Sequence, residues 1–415
     1  MEFVEISEQE YFDFQKKHEY QNFMNSVWAM KLKLKKGWDV SYYGIKDNNH
    51  LLVATTLASI PVMKRHRYVV AQRGFLVDYR NKEIFAFFME KLKVHLHKMN
   101  CLYFHIDPYI CYQERDKEAQ VIEGGFNNKD IVENLKQMGF EHLGFSVGHG
   151  NIYPSRWMFA LSLVGKNRET LLANMHQQTR WSINKTLREG ICVRELTIEE
   201  LPLFSAIMEH TSQRRKFENY DETYYKTFLE AYGEHAKLLL AYLDVDKHIE
   251  KIEVEKSEAL EDLNKTETKL LETPNNKKMK KRKNVLIEAI ELYDKKIDKA
   301  LKMKQEKGNE IPLAASIFVM LGEEVTYLFS GSYDEYKKYN APYALQWHML
   351  QYALDYGYKK YNFYGTSGDF RKEAEDYGVY EFKKGFDGQV EELIGDFILP
   401  IKKYTYKLYK AIKKN

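Results

Sequence analysis

Apolar and polar residues alternate along residues 38–63, on both sides of the polar stretch KDNN at 46–49. This period of two, interrupted by turn-forming residues, predicts a β-hairpin. Strand patterns follow at residues 68–77 and 101–109, and residues 81–99 between them have the spacing of an amphipathic helix. The first part of the chain therefore predicts a hairpin, a strand, a helix and a further strand.

The second half of the chain shows the same order of elements. A helical pattern at 222–232 precedes strand patterns at 238–245, 311–321 and 325–332, a helical pattern at 343–357 and a strand pattern at 359–368. We interpret the two series as an internal duplication of one α/β unit. The alternative is a coincidence between two common α/β patterns.

The duplication identifies an insertion in the second hairpin. Where the first hairpin turns at Lys46–Asn49, the second carries about sixty-five residues, from Asp246 to Gly308. Apolar positions in this insert recur at spacings of three and four on both sides of Pro274. The pattern predicts an antiparallel helical hairpin, roughly 40 Å long at 1.5 Å per residue. Its first helix is rich in acidic residues and its second in lysine, so ion pairs can form between them.

The bend of this helical arm is strongly basic. Between Lys277 and Lys283, six of seven residues carry a positive charge: Lys277, Lys278, Lys280, Lys281, Arg282 and Lys283. Charge runs are usually solvated and need no partner. A protruding basic arm is also able to follow the phosphates of a nucleic acid. The pattern alone does not choose between these interpretations.

The composition narrows the class of protein without naming a function. The 415 residues are 44% hydrophobic and 14% aromatic, with a net charge of +3, which is typical of a globular protein. Three cysteines in no metal-binding pattern favour a reducing compartment. The acidic N-terminus does not resemble a signal peptide, and no apolar run is long enough to span a membrane. We therefore expect a cytoplasmic protein.

Several catalytic chemistries have no motif in the sequence. There is no G-x-S-x-G elbow, no Walker or dinucleotide glycine pattern, and no metal-ligand spacing among the thirteen histidines. The predicted unit suits an acyltransferase of the GNAT type. The coenzyme A loop of such enzymes is missing, however, and the nearest match, Gln305–Glu310, ends in the wrong residue and lies in the arm. We expect no cofactor, and a donor other than an acyl-CoA.

Eight stretches, in order along nearly the whole chain, resemble the Fem-type aminoacyltransferases that build the peptidoglycan cross-bridge. They are KLKLKKGW (31–38), AQRGFLVDY (71–79), CLYFHIDPY (101–109), MEHTSQRRKFENYDETYY (208–225), GNEIPLAA (308–315) after the arm, APYALQWHML (341–350), YNFYGTSG (361–368) and VYEFKKGFDGQVEELIGDFILPI (379–401). The arm is most similar to that of FemA-like members. The resemblance implies an α/β (α+β) fold with two GNAT-like subdomains and a coiled-coil arm.

The same resemblance implies the division of the chain. The first GNAT-like subdomain would span 1–165 and be completed by 385–415. The second would span 166–245 and 308–384, with the antiparallel coiled-coil arm at 246–307.

The implied reaction transfers the amino acid of an aminoacyl-tRNA to the amine of a lipid-linked muropeptide, lipid II or its aminoacylated form. An aminoacyl ester is already activated, so the enzyme needs no nucleophilic side chain. It must orient the substrates, stabilise the oxyanion and let the attacking ammonium lose a proton. That requirement suits a chain with no evident nucleophile.

The resemblance implies three residues at the reaction centre. Lys383 matches the family lysine placed there, with Phe382 beside it, and Asp107 matches an acidic residue near the acceptor amine. Considered without the resemblance, Lys383 is a surface strand lysine and Asp107 a strand terminator before Pro108.

Further residues are implied in substrate binding. Lys33 matches the lysine that holds the precursor pyrophosphate, where the alternative is one solvated lysine among several. The family's arginine is replaced here by Tyr220, so Arg214, Arg215 or Lys216 would supply that charge. Phe329 stands at a tyrosine position and lacks its hydroxyl. The remaining substrate-binding residues are Arg73, Tyr224, Tyr364, Gly365 and Ser367. Turn formation is the alternative for the last three.

The arm and the C-terminal segment each indicate a binding partner. Paired helices of this kind resemble the tRNA-binding arm of seryl-tRNA synthetase, which implies that the six basic tip residues meet tRNA. The C-terminal IKKYTYKLYKAIKKN mixes lysines with apolar residues and would rest on the inner face of the membrane, or form a basic helix with no partner. Two other functions stay open, an N-acyltransferase with another donor and a non-catalytic RNA-binding protein. The sequence also leaves open which residue is transferred (glycine, alanine or serine) and which bridge position is extended. It does not fix the oligomeric state, for which a homodimer or a complex with related family members is possible.

Overall fold

A computed structural model describes residues 1–148 and 155–413 of the chain. Its strands form two mixed sheets within this part of the chain. The first sheet has the spatial order β1-β2-β3-β4-β5-β15-β7. Its strands are β1 (Glu2–Glu5), β2 (Asp39–Asp47), β3 (His50–Val62), β4 (His66–Ala71), β5 (Cys101–Ile106), β7 (Glu141–His142) and β15 (Phe397–Pro400).

The second sheet has the spatial order β6-β14-β8-β13-β12-β11-β10-β9. Its strands are β6 (Cys111–Glu114), β8 (Trp157–Ser162), β9 (Ile191–Glu195), β10 (Ala236–Asp244), β11 (Glu310–Leu321), β12 (Glu324–Ser332), β13 (Lys360–Thr366) and β14 (Gln389–Leu393). The α-helices are α1 (Glu8–Gln15), α2 (Val27–Lys35), α3 (Lys82–Lys98), α4 (Lys129–Gln137), α5 (Arg168–Asn174), α6 (Gln177–Arg188), α7 (Leu201–Arg215), α8 (Glu222–Tyr232), α9 (Val245–Glu272), α10 (Lys277–Lys307), α11 (Ala341–Asp355), α12 (Tyr377–Lys384) and α13 (Lys403–Lys413).

Each sheet contains one copy of the predicted repeat. In the first sheet the hairpin β2–β3 leads to β4, and helix α3 connects β4 to the parallel strand β5. In the second sheet β10, β11 and β12 are followed by α11 and the parallel strand β13. A helical crossover is the usual way to join parallel neighbours. The α/β fold with a duplicated unit is confirmed.

Apolar spacing explains why the crossover helices pack on their sheets. Helix α3 buries Phe85, Phe88, Met89, Leu92 and Leu96, which lie three or four positions apart and form one face. One predicted boundary is wrong. The strand predicted at 68–77 ends at Ala71 in the structure. It ends there because Arg73 and Gly74 take left-handed φ angles of 59° and 75°, which turn the chain.

Strands are exchanged between the two sheets. Strands β6 and β8 precede residue 165 but pair in the second sheet. Strand β14 also pairs there, whereas β15, only a few residues later, pairs with β5 in the first sheet. The boundary predicted at residue 165 therefore does not separate the two sheets. The segment 385–415, assigned to the first unit, contributes a strand to each sheet. Local patterns carry no information about which sheet a short strand joins.

The insertion between β10 and β11 is a pair of long antiparallel helices. Helices α9 and α10 have 28 and 31 residues, or about 42 and 46 Å at 1.5 Å per residue. Residues Thr273–Asn276 separate the two helices. The Asn276 side chain accepts hydrogen bonds from the backbone amides of Lys278 and Met279 and so caps α10. Ion pairs between the helices include Arg282 with Asp262. The predicted helical hairpin and its flanking ion pairs are confirmed.

Candidate active site

Lys383 lies in the last turn of α12 and is 4% exposed. Its ammonium donates to the backbone carbonyls of Tyr364, at 3.1 Å, and Gly365, at 2.5 Å. Burial lowers the pKa of Lys383 to about 7, and Asp376 opposes the shift. The alternative of a surface strand lysine is therefore wrong, because the residue is helical and buried. An amine with this pKa is able to exchange its charge near neutral pH.

An irregularity in β13 turns the two carbonyls toward Lys383. The pairing of β13 with β8 shifts register between Asn362 and Gly365, and Tyr364 has a φ of 62°. The Asn362 side chain accepts the Tyr364 amide at 2.7 Å and stabilises this bend. A β-carbon at Gly365 would lie 2.9 Å from Ser155, so a larger residue does not fit. A left-handed tyrosine is uncommon, and such residues concentrate at functional sites.

Arg73 and Asp107 form a buried ion pair beside the Tyr364 side chain. The Arg73 Nη1 lies 3.3 Å from Asp107 Oδ2, and the Arg73 amide donates to Oδ1 at 2.7 Å. Both side chains are at most 5% exposed. Burial raises the pKa of Asp107, and Arg73 opposes the shift. Burial raises the pKa of the Tyr364 hydroxyl, and the charge of Arg73 opposes the shift. Tyr364 thus accepts a hydrogen bond from Lys383 through its backbone carbonyl, and its hydroxyl lies within the electrostatic influence of Arg73.

Asp107 is therefore more than a residue that ends a strand before Pro108. Its Oδ2 is buried and, among the described residues, accepts no hydrogen bond. Arg73 Nη1 faces that oxygen at 3.3 Å as an ion-pair partner, and a donor from a ligand would supply the hydrogen bond it lacks.

Lys33, at the end of α2, differs from the other lysines of that helix. Lys31 and Lys35 pair with Glu8 and Glu230, each at 2.8 Å. Lys33 instead lies over the ring of Trp38, with 4.6 Å from Nζ to the centroid. Among the described residues it has no carboxylate in ion-pair distance. Burial lowers the pKa of Lys33 to about 8, although Asp107 raises it.

Lys36 is a candidate that the sequence pattern did not single out. Its Nζ lies 4.4 Å from the centroid of Tyr224, and within the described residues it too has no ion pair. Tyr224 stacks on Tyr220 with 4.0 Å between ring centroids, and Phe329 packs edge-on against both. The spacing of three between Lys33 and Lys36 on one helix end was the available signal.

Arg214 and Arg215, expected to replace the family arginine, lie at the end of α7. Arg214 is paired with Asp334, and Arg215 is exposed. Lys36, in contrast, lies over Tyr224, which stacks on Tyr220.

Ser367 and Phe382 have structural contacts. The Ser367 hydroxyl donates to Asp376 Oδ1 at 2.6 Å, and its amide donates to Oδ2 at 2.8 Å. Phe382 packs edge-on against Tyr343 and Phe386, at 4.9 and 5.3 Å between centroids. These contacts fix the turn after β13 and the position of α12. Both residues therefore orient the elements around Lys383.

The basic tip of the arm divides into two groups. Arg282 and Lys283 pair across the arm with Asp262 and Glu267, at 2.9 and 2.8 Å. The remaining four, Lys277, Lys278, Lys280 and Lys281, are exposed and form no ion pair within residues 1–148 and 155–413. They occupy the first turns of α10, where the helix dipole is positive. Their mutual repulsion is therefore not relieved within the arm.

Comparison with known proteins identifies the family of this site. The model of the FemAB family matches residues 6–414. The chain is 36% identical over 415 residues to aminoacyltransferase FemA of Staphylococcus epidermidis, covering 100% of this chain and 99% of that protein. The chain belongs to the FemAB family. Aminoacyltransferase FemA of Staphylococcus aureus strain MRSA252 is 35% identical, with the same coverage.

A solved structure described as FemX agrees with this FemAB-family fold. It superposes with a TM-score of 0.83 and 25% identity, covering 98% of this chain and 99% of that one. The predicted family and enzyme class, an aminoacyltransferase, are confirmed. In the part of the chain that the structure describes, no helix combines the length and apolar character needed to cross a bilayer.

Proposed function

We propose that this FemAB-family protein transfers glycine, alanine or serine from aminoacyl-tRNA to the amine of a lipid-linked peptidoglycan precursor. The transfer extends the interpeptide bridge. The observation that carries the proposal is one connected cluster, in which Tyr364 joins the buried Lys383 to the buried Arg73–Asp107 pair. It combines a cation, a carboxylate and no activated hydroxyl or thiol.

The cluster supports direct attack by the acceptor amine. The amine nitrogen forms a bond to the ester carbonyl carbon, and the bond to the tRNA ribose oxygen then breaks. An ammonium has three donors, and two of those on Lys383 meet Tyr364 and Gly365. The third is free to stabilise the oxyanion. Asp107 Oδ2, which accepts no hydrogen bond among the described residues, suits the attacking amine: it takes one proton from that nitrogen, and the same proton then passes to the departing ribose oxygen.

Lys33 and Lys36 support binding of the precursor's pyrophosphate. Both are held over aromatic rings, and neither is held by a carboxylate within the described part of the chain. A phosphate therefore meets two cations without displacing an existing ion pair.

Lys33→Ala is expected to raise KM for the lipid-linked acceptor more than KM for the aminoacyl-tRNA, because only the acceptor carries the pyrophosphate. Loss of one charge-assisted hydrogen bond costs about 1.5–3 kcal/mol, or roughly ten- to a hundredfold in KM. With a pKa of about 8, Lys33 loses charge above that pH, so the wild-type acceptor KM should rise there. Steady-state kinetics with each substrate varied in turn gives both values.

The ion-paired Lys35 on the same helix supplies the matched control. Lys35→Ala removes an equal charge and should leave the acceptor KM nearly unchanged. Equal KM values for Lys33→Ala and Lys35→Ala would show that Lys33 does not bind the precursor.

The C-terminal helix α13 supports contact with the inner face of the membrane. Tyr406 is 7% exposed and packs on Tyr103, which fixes the helix on β5. The opposite face exposes Tyr404 by 90%, Leu408 by 58% and Ile412 by 59%. Residues four apart form one stripe along a helix, and lysines flank it. Such a face suits an anionic bilayer surface, where the lipid-linked acceptor resides.

Replacing both Leu408 and Ile412 by Asp is expected to weaken binding to vesicles that contain anionic lipid. The change removes apolar contact and adds repulsion from the negative surface. Co-sedimentation with anionic and neutral vesicles measures it, with Leu271→Asp, an 82% exposed residue of the arm, as the control. If the double variant sediments as the wild type does, α13 is not the membrane contact.

The proposed donor is tested against the GNAT-type alternative. The protein is incubated with the acceptor and radiolabelled aminoacyl-tRNA, and in parallel with a labelled acyl-CoA. Label should enter the acceptor from the tRNA alone. Transfer from acyl-CoA alone would replace the proposed function by the alternative.

A further inference from the structure

A cavity of about 410 Å³ lies at the base of the arm, away from Lys383. It is enclosed by α6, by the proximal turns of α9 and α10, and by residues 338–339 before α11. We call it the arm-base cavity. Its volume falls within the range of sites for small ligands or single nucleotides.

The wall of the arm-base cavity is strongly basic. Two carboxylates, Glu189 and Glu255, face six cationic side chains, which are Lys185, Arg188, Lys251, Lys296, Lys299 and Lys338. Within residues 1–148 and 155–413, none of these six forms an ion pair. Lysines elsewhere on the arm do, such as Lys256 with Asp294 and Lys304 with Asp246. The cations of the cavity are therefore available to an anionic ligand.

His248 adds no further positive charge to this wall at neutral pH. Burial lowers its pKa, although the neighbouring Glu189 opposes the shift. Its Nδ1 lies 2.8 Å from the backbone carbonyl of Glu189. The surplus of positive charge thus comes from the lysines and Arg188.

Trp181 gives the cavity an exposed aromatic surface. Its side chain is 46% exposed, and Lys185, one turn later on α6, lies 5.1 Å from the ring centroid. A half-exposed tryptophan among cations is the arrangement by which proteins bind single-stranded nucleic acid. The bases stack on the ring and the lysines follow the phosphates.

Helix α6 connects the cavity to the surroundings of Lys383. At its start, the His176 amide donates to the carbonyl of Gly385, directly after α12, at 2.9 Å. Twelve residues later the helix ends at Arg188 in the cavity wall, about 18 Å away. A strand bound at Trp181 is therefore within a few nucleotides of the reaction centre.

We propose that the arm-base cavity binds single-stranded RNA, with a base stacked on Trp181 and phosphates paired with Lys251 and Lys299. The identification of this strand as the acceptor end of the donor tRNA rests on the proposed function.

The test measures binding of a labelled short oligoribonucleotide, with the sequence of a tRNA 3′ end, by fluorescence anisotropy at several salt concentrations. Trp181→Ala should weaken binding by roughly 5–150-fold, because stacking contributes about 1–3 kcal/mol per base. Its salt dependence should stay as in the wild type. The double variant Lys251→Ala and Lys299→Ala should lower the slope of log K against log salt by about 1.4, since single strands give about 0.7 per neutralised phosphate.

Matched controls separate the cavity from general surface effects. Tyr356→Ala removes an aromatic residue that is 70% exposed elsewhere, and Lys64→Ala with Lys98→Ala removes two exposed lysines of the first unit. Both should bind the oligonucleotide as the wild type does. Unchanged binding in Trp181→Ala, or equal competition by a short RNA duplex, would overturn the inference.

The results distinguish failure of the RNA site from failure of the proposed function. If no aminoacyl group is transferred but oligonucleotide binding depends on Trp181, the cavity is an RNA site and the proposed function is wrong. If transfer proceeds while Trp181→Ala changes neither oligonucleotide binding nor KM for tRNA, the inference is wrong and the proposed function stands.

Discussion

Replacing Lys383 by Met is expected to lower turnover by about 10²–10³-fold while the protein stays folded. The variant lacks the cation that stabilises the oxyanion, and removal of one such donor typically costs this much. The wild-type pKa of about 7 adds a pH signature, because turnover that depends on the ammonium should fall as pH rises through that value. Single-turnover kinetics with saturating substrates measures the chemical step. Wild-type turnover in a folded variant would exclude this role.

Stability provides a second signature of the same substitution. The pKa of Lys383 is about 7 when folded, below the ordinary lysine value of 10.5. Between these pH values the unfolded chain binds a proton that the folded chain does not, so wild-type stability should rise with pH. The gain is at most ~1.4 kcal/mol per pH unit. The stability of Lys383→Met should lack this dependence on pH. The substitution also leaves two carbonyls without a donor, but that cost in stability is the same at every pH.

Lys384 is the matched control for Lys383. It is the next residue in the chain, but its ammonium pairs with Glu118 at 3.0 Å and Glu381 at 2.6 Å, and these partners raise its pKa. Lys384→Met should therefore keep its turnover and lose some stability. If both variants lose turnover equally, the effect comes from the position of α12 and not from the Lys383 charge.

Replacing Lys277, Lys278, Lys280 and Lys281 by Gln is expected to reduce tRNA affinity and its dependence on salt. Each contact to a phosphate contributes about 0.9 to the slope of log K against log salt, so the four together contribute about 3–4. KM for the lipid-linked acceptor should not change. Binding of uncharged tRNA at a series of salt concentrations measures the slope. A slope equal to that of the wild type would leave the tip as a solvated charge cluster.

The paired residues of the tip serve as the control for this experiment. Arg282→Gln with Lys283→Gln breaks the ion pairs to Asp262 and Glu267. This double variant should change the salt slope much less, because these charges are already balanced within the arm. The quadruple variant should also stabilise the free arm slightly, since lysines at a helix N-terminus oppose its dipole.

The repeated units and the arm could be predicted because their signals are local. Strand alternation around Lys46–Asn49 and the three- and four-residue spacing between Asp246 and Gly308 depend only on near neighbours along the chain. The exchange of β14 and β15 between the sheets has no such signal. It depends on packing between segments that are hundreds of residues apart in the chain.

The site could be predicted only in part for the same reason. The resemblance marked Lys383, Asp107 and Arg73 one at a time, but their connection depends on the left-handed backbone of Tyr364. Nor could the pattern KLKLKKGW separate Lys33 from Lys35, since the difference is a carboxylate about two hundred residues away, Glu230. For Ser367 the hydroxyl was visible in the sequence, but its bond to Asp376 was not.

The product of the reaction is the strongest test of the proposed transfer of an amino acid from tRNA to a lipid-linked muropeptide. The purified protein is incubated with lipid II, or with lipid II that already carries part of a bridge, and with a panel of charged tRNAs. Mass spectrometry then analyses the muropeptide. We predict a mass increase of one or more glycine, alanine or serine residues on the acceptor amine, absent with Lys383→Met. An unmodified acceptor with every charged tRNA would contradict it.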